Sequence, residues 1–419
     1  MEYLQQEADR CLQCKNPKCQ QHCPIDTPIP EIIRLFLKRE YRKAGEILFE
    51  NNPLSAVTAI VCPHEDQCKG NCIRGIKGEP ISFCEIERLV SEEFLKEPMK
   101  VEVPDNHRKI AIVGSGPAGI TAAILLARKG YEITIFELHD RIGGVLTYGI
   151  PEFRLPRSIV NNLEQKLIEL GVTIKPNTLV GPVITMDKLL QDGYDAIFIG
   201  TGVWSPRTLN IKGETLRHSM YAIDYLKNPS AYHLGKRVIV IGAGNVAMDA
   251  ARSAKYFGSD QVQICYRRGK EDMTATKAEI KEAEEEGVEF NFYKNPIEIN
   301  DKGVVFVSTR QIINEEGKRI LETIPDSEEL IPCDNVIIAV SQSPQTNIVS
   351  TSPELKTHYG LLVTDEFGHT TKEGVFACGD VVSGAKTVID AVVAAKIVAG
   401  SIDTYCQKKL SKPDGEADS

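Results

Sequence analysis

Apolar and polar positions in the first hundred residues alternate at helical intervals over 31–39 and 41–50, which predicts short amphipathic helices. Beyond residue 108 the pattern changes. A short apolar run over 109–114 leads into a glycine-rich turn, an alanine-rich helix over 120–129 and a second strand over 131–137. That succession is a βαβ unit. The same order returns at 237–242, 245–256 and 261–266, about 128 residues further on, so two nucleotide-binding domains are expected rather than one. The runs 195–200 and 335–340 read as further buried strands, each placed to carry the chain between domains. The polar stretch 98–108 reads as a linker, and the acidic tail 412–419 as disordered.

Composition narrows the class. At 419 residues the chain is long enough for about three domains. An apolar fraction of 42% and a charged fraction of 26% are ordinary for a soluble globular protein. The net charge of −9, with no basic run, argues against a nucleic-acid partner. No uncharged apolar stretch of about 18 residues occurs, so no membrane span is expected. The start Met1-Glu2-Tyr3-Leu4 has neither a basic n-region nor an apolar core, and twelve Cys without a secretory signal point to a reducing cytoplasm and metal ligation.

Cysteine spacing carries the first chemistry. Seven cysteines fall within 72 residues as Cys11-x2-Cys14-x4-Cys19-x3-Cys23-Pro24 and Cys62-x5-Cys68-x3-Cys72. This is ferredoxin-like spacing, in which the fourth Cys of a run serves a second cluster. A disulfide framework would need an oxidising compartment, and structural zinc would prefer paired Cys-x2-Cys knuckles. Two 4Fe–4S clusters are therefore expected, one ligand short. Cys265, Cys333, Cys378 and Cys406 are scattered and read as packing residues.

Gly114-Ser115-Gly116-Pro117-Ala118-Gly119 follows a strand and opens a helix, as a diphosphate-binding turn requires. Glu137 ends the next strand, placed to accept hydrogen bonds from an adenosine ribose and to repel a 2′-phosphate. FAD or NAD suits such a site. Arg141-Ile142-Gly143-Gly144 just beyond it would let the chain wrap a bulky flavin. Far downstream, the apolar strand Phe376-Ala377-Cys378 runs into Gly379-Asp380, with a helix from Thr387 to residue 399. Asp380 is placed for the ribityl chain, and the helix N-terminus at Thr387 for the pyrimidine edge of a reduced flavin. FAD is thus the expected ligand.

The second motif is Gly242-Ala243-Gly244-Asn245-Val246-Ala247. Its following strand ends in Tyr266-Arg267-Arg268 where the first unit has an acid. Two guanidiniums there can clamp a 2′-phosphate, which favours NADPH over NADH. Asp249, one turn into the helix, is a further candidate at the glycine-rich loop. No side chain is assigned as a general acid or base, because hydride transfer needs positioning rather than a proton relay. A thioredoxin-reductase-type relay would need a Cys-x2-Cys near the flavin, and none follows residue 23. Electrons are expected to leave through the amino-terminal clusters.

As a set, the cysteine pattern, Gly114–Gly119, Gly144-Val145-Leu146-Thr147-Tyr148-Gly149-Ile150-Pro151, Gly242–Ala247, Tyr266-Arg267-Arg268 and Gly379-Asp380 resemble the small (beta) subunit family of NADPH-dependent glutamate synthase. Relatives include the large subunit of bifurcating ferredoxin–NADP transhydrogenase and the amino-terminal half of dihydropyrimidine dehydrogenase. The resemblance covers nearly the whole chain. It implies cofactor contacts at Gly144 and Leu146. It also implies that Cys11, Cys14, Cys19 and Cys72 hold one cluster, and Cys23, Cys62 and Cys68 the other with Glu87 as fourth ligand. Cys84, three residues before Glu87 on the same helical face, is the alternative.

Three departures bear on the member. Only ten residues precede Cys11, which would leave out an N-terminal extension bracing the partner. The spacing Cys62-x5-Cys68 is nearer the transhydrogenase and dihydropyrimidine dehydrogenase relatives, whereas Glu rather than Gln at 87 pulls away from the latter. The expected fold is α/β: two Rossmann-like FAD/NAD(P)-binding domains in a glutathione-reductase-like tandem, preceded by an α-helical di-cluster domain. The segments are 1–107 for the clusters, 108–230 and 346–419 for FAD, and 231–345 for NADPH. The resemblance implies an electron-input subunit for a larger acceptor, a glutamate synthase large subunit or a similar FMN/iron–sulfur protein. A dihydropyrimidine dehydrogenase partner or transhydrogenation with ferredoxin is the alternative.

Overall fold

The computed structural model describes residues 1–99, 105–314 and 317–411. Part of the expected linker (100–104) and the whole tail 412–419 lie outside the described residues. Helices Ile29–Leu37, Tyr41–Asn51, Ser55–Val61 and Phe83–Lys96 form the amino-terminal domain. Ile32, Ile33, Phe36, Leu48 and Ile86 build its core, in register with the three- and four-residue spacing of the sequence. Gly45 sets the closest approach: a Cβ there would lie 2.5 Å from Cβ of Phe94 on helix Phe83–Lys96.

Both expected βαβ units are present, and each grows into a five-stranded parallel sheet. The first sheet runs Val375–Ala377, Ala196–Ile199, Lys109–Val113, Glu132–Phe136, Thr173–Lys175. The second runs Ser219–Tyr221, Asn335–Ile338, Arg237–Ile241, Gln261–Tyr266, Glu289–Phe292. The four inner and far strands follow one order in both sheets, with the glycine-rich motif after the middle strand; the remaining edge strand comes last in the chain in the first sheet and first in the second. Central strands are buried on both faces, which explains their continuous Ile/Val runs.

Two compact units divide the chain. One holds residues 1–147, 152–204 and 343–419, and the other 148–151 and 205–342. The change of unit thus falls at 204/205 rather than at the expected 230/231, because strand Ser219–Tyr221 pairs with Asn335–Ile338 of the second sheet. A further element carries no plain signal in the sequence. An antiparallel sheet of Lys294–Asn300, Gly303–Ile313, Arg319–Thr323 and Glu329–Pro332 follows the last parallel strand of the second unit. Among the described residues, no helix is long and apolar enough to cross a membrane.

Candidate functional site

The cysteines gather into two groups. Cys11, Cys14, Cys19 and Cys72 line one cavity walled by Ile29, Ile33 and Phe83, and Cys68 also reaches its lining. Burial pushes the Cys19 thiol up to about 11, and the neighbouring thiols of Cys72, Cys11 and Cys14 add to it. Cys62 and Cys68 form the second group, each close enough to Glu87, to Cys23 and to the other for mutual repulsion when charged. Cys84 lies beside Cys68 and Glu87.

Glu87 discriminates between cluster ligand and surface acid. It is buried on helix Phe83–Lys96, and burial pushes its carboxyl up to about 8. It makes no hydrogen bond or ion pair among the described residues, and its ionisable neighbours are thiols. A carboxyl taken out of water without a partner is costly, and a cluster iron would supply the missing partner. No three His, Cys, Asp or Glu side chains among the described residues converge on a point that could hold a single ion. A 4Fe–4S cluster asks for something else, because each ligand binds its own iron around a cavity. The sulfur-lined cavity and the neighbouring group of thiols suit that cofactor.

The flavin candidates converge on the first sheet. Gly114 adopts φ +93°, and a Cβ there would lie 2.8 Å from the Gly200 carbonyl oxygen. At Gly119 a Cβ would fall 2.0 Å from the Gly114 carbonyl oxygen, so the turn closes onto the helix starting at Pro117 only with glycine. Gly144 approaches Gly116 backbone to backbone, and the Gly143 N–H donates to the Ser115 carbonyl at 2.9 Å. Leu146 is fully buried and its carbonyl accepts from Arg157 at 2.7 Å. Gly379 packs on Ala118, which brings Asp380 to the same loop. Burial pushes the Asp380 carboxyl up to about 6. The next helix, Val388–Ser411, opens with a reciprocal cap: Thr387 N–H donates to Asp390 at 3.1 Å and Asp390 N–H to Thr387 at 3.4 Å. A bare backbone cradle with small residues on both sides fits a dinucleotide diphosphate.

Glu137 is where it was expected, and the structure adds its grip. It accepts from the Ser115 N–H at 2.9 Å, the Ser115 hydroxyl, the His139 N–H at 2.8 Å and His139 Nδ1 at 3.0 Å. Burial alone would raise its carboxyl, but these bonds outweigh burial and hold it below the usual range. His139 had no sequence signal; its part follows from lying two residues past the acid.

The second unit carries its own motif. Gly242 has φ +138°, and a Cβ would lie 2.2 Å from the Ala339 carbonyl oxygen. Ala247, in place of a third glycine, is fully buried. Gly244 caps the helix and Val246 is half-buried in its first turn. Asn245 accepts from the Thr276 N–H at 3.0 Å, tying the loop to the chain beyond the second strand. Asp249 is buried near Arg252. Arg267 and Arg268 are exposed and make no side-chain hydrogen bond or ion pair among the described residues. Two unengaged guanidiniums at that strand end suit a 2′-phosphate.

The clusters and the flavin candidates occupy one compact unit, joined by specific contacts. Helix Val388–Ser411 packs on both helix Pro117–Ala127 and helix Ser55–Val61, the latter ending at Cys62. Asp390 is near enough to raise the Cys62 thiol further. Arg128 pairs with Glu50 at 2.6 Å, and the fully buried Lys166 holds Glu169 at 2.9 Å and the Glu97 carbonyl. Cys265, Cys333, Cys378 and Cys406 are all buried, as packing residues would be.

Comparison with known proteins agrees in both halves. The pyridine nucleotide-disulphide oxidoreductase family matches residues 108–396, and the dihydropyrimidine dehydrogenase domain II, 4Fe-4S cluster family matches residues 1–99. The chain is 32% identical to the glutamate synthase [NADPH] small chain of Escherichia coli, over 96% of this chain and 91% of that one. It is 31% identical to the NAD-dependent dihydropyrimidine dehydrogenase subunit PreT of Salmonella typhimurium, over 97% of this chain and 95% of that one. In fold it resembles Mycobacterium tuberculosis FprA in complex with NADPH, with a TM-score of 0.64 at 19% identity, covering 74% of this chain and 87% of that one.

Proposed function

The chain belongs to the glutamate synthase small-chain family, and from that premise we propose that it draws electrons from NADPH and delivers them one at a time to a separate, larger acceptor subunit. It is a flavin and iron–sulfur oxidoreductase using FAD, NADPH and 4Fe–4S clusters. FAD, when bound, accepts the two electrons of a hydride together and releases them singly. The residues divide the rest of the work. Gly114–Gly119, Glu137, Gly144, Leu146, Gly379, Asp380 and Thr387 hold and orient the flavin. Gly242, Gly244, Asn245 and Val246 take the diphosphate of NADPH, and Arg267 with Arg268 its 2′-phosphate.

Cys23, Cys62, Cys68 and Glu87 hold the cluster next to the flavin domain, and Cys11, Cys14, Cys19 and Cys72 the outer one. One observation carries this order. The helix that follows Gly379-Asp380 also packs on the helix ending at Cys62, with Asp390 acting on that thiol. The cysteines beyond residue 85 are free and buried and include no Cys-x2-Cys pair of the kind a disulfide relay needs, although the family matched over residues 108–396 takes its name from disulphide chemistry.

The leading acceptor is a glutamate synthase large subunit, forming glutamate from 2-oxoglutarate and glutamine. The match of residues 1–99 to a dihydropyrimidine dehydrogenase domain favours a pyrimidine-reducing partner as the second reading. Reconstitution with each purified partner separates them. NADPH-dependent glutamate formation supports the first reading; dihydropyrimidine formation without glutamate overturns it in favour of the second.

A further inference from the structure

Helix Val388–Ser411 carries a lone cation where its sequence reads Val393-Ala394-Ala395-Lys396-Ile397-Val398; the nearest others are Lys386 and Lys408. Lys396 Nζ donates to the Asn51 carbonyl at 2.6 Å and to Asn51 Oδ1 at 2.9 Å. Both acceptors are neutral, and among the described residues Lys396 has no carboxylate partner. Cys23 is the one ionisable group near enough to act on its charge. The bond to Oδ1 fixes the orientation of the Asn51 amide, since the flipped amide would turn its donors on the ammonium. That orientation leaves Asn51 Nδ2 buried and without an acceptor. A half-buried ammonium without a counter-ion and a buried donor without an acceptor therefore meet beside a cluster thiol. Each is costly alone, and a single anionic, sulfur-rich neighbour would satisfy both.

We propose that Lys396 and Asn51 are positioning residues that raise the electron affinity of the cluster held by Cys23, Cys62 and Cys68, drawing electrons out of the flavin domain. The assignment rests on the electron path above. The step moves one electron from flavin to cluster, with no bond or proton changing hands. Charge and hydrogen bonds around a cluster set its potential, and here the other groups facing it, Glu87 and Asp390, are acids. Lys396 is the cation acting on Cys23, while Lys69 acts on the neighbouring Cys84, and Lys396 offsets the acids on the flavin side. As a tie between domains alone, Lys396 would serve only to satisfy the last carbonyl of helix Tyr41–Asn51.

The test is a redox titration of the anaerobically purified full chain, read by electron paramagnetic resonance. Lys396→Met should lower one midpoint by the equivalent of a tenfold loss in electron affinity, about 59 mV for a one-electron couple, and leave the other unchanged. Lys396→Arg should restore it. Asn51→Asp keeps both acceptors for Lys396 but replaces the free donor with a carboxylate, so it should lower the same midpoint even if Lys396→Met does not fold. FAD content and the rate of flavin bleaching by NADPH should stay at the wild-type level in all three. Unshifted midpoints in Asn51→Asp, or in Lys396→Met with full iron content, overturn the assignment while leaving the electron path standing. Wild-type protein without iron or acid-labile sulfide overturns the path itself, and this assignment with it.

Discussion

Gly119→Ala asks whether the flavin cradle works by close backbone approach. The added methyl would sit 2.0 Å from the Gly114 carbonyl oxygen, 3.0 Å from its carbon and 3.4 Å from Ile112 Cγ2. Carbon–oxygen contacts do not usually fall below about 3.3 Å. The loop must therefore retreat by roughly 1 Å, and that loop is the diphosphate seat. Overpacking of this kind costs about 1–3 kcal/mol, which weakens FAD binding by about 5- to 150-fold. Ala247 makes the natural comparison, because the same place in the second motif already carries a buried methyl. Ala247→Gly should cost about 1 kcal/mol of helix stability and leave FAD affinity alone. The assay is fluorescence titration of the deflavo-protein with FAD, alongside FAD content as purified. Gly119→Ala protein with wild-type affinity would refute the close-approach argument.

Three other outcomes are expected. Changing Arg267 and Arg268 together to Gln should remove charge-assisted bonds worth about 1.5–3 kcal/mol each, cutting NADPH kcat/KM by at least about tenfold while sparing NADH; an unchanged ratio contradicts the phosphate clamp. The double variant Glu87→Ala, Cys84→Ala should lose one cluster of two, lowering iron from about eight to about four per chain, whereas full iron would show that neither residue is a ligand. The depressed Glu137 carboxyl contributes stability that is present above its unfolded value of 4.5 and is lost as pH falls through the lower native value. Thermal melts of Glu137→Gln should therefore differ from wild type near neutrality and converge in acid; a constant difference across that range would contradict this.

Much of the site was legible because local grammar carries it. Gly114–Gly119 and Gly242–Ala247 each need a strand before and a helix after, and both strands announce themselves as unbroken apolar runs. The cysteine spacing likewise reads locally, and Glu87 stands on a helix whose apolar face is plain in the sequence. What escaped was long-range or weakly patterned. Strand Ser219–Tyr221 has three half-buried residues, too short for any period to show, so the sequence does not reveal that the second unit starts before residue 219. Strands Gly303–Ile313 and Arg319–Thr323 are partly exposed and mix apolar with polar residues, which masks the antiparallel sheet. Lys396 meets Asn51 across 345 positions of sequence, and nothing near either residue names the other.

The central claim is that a two-electron donor reduces iron through the flavin of this one chain. The direct measurement is an anaerobic titration with NADPH, followed by flavin absorbance and by electron paramagnetic resonance of the clusters. Flavin bleaching should be accompanied by one-electron cluster signals in wild-type protein, and those signals should vanish in flavin-free protein given the same NADPH. Clusters that stay oxidised beside a fully reduced flavin, at potentials NADPH can reach, would contradict the account.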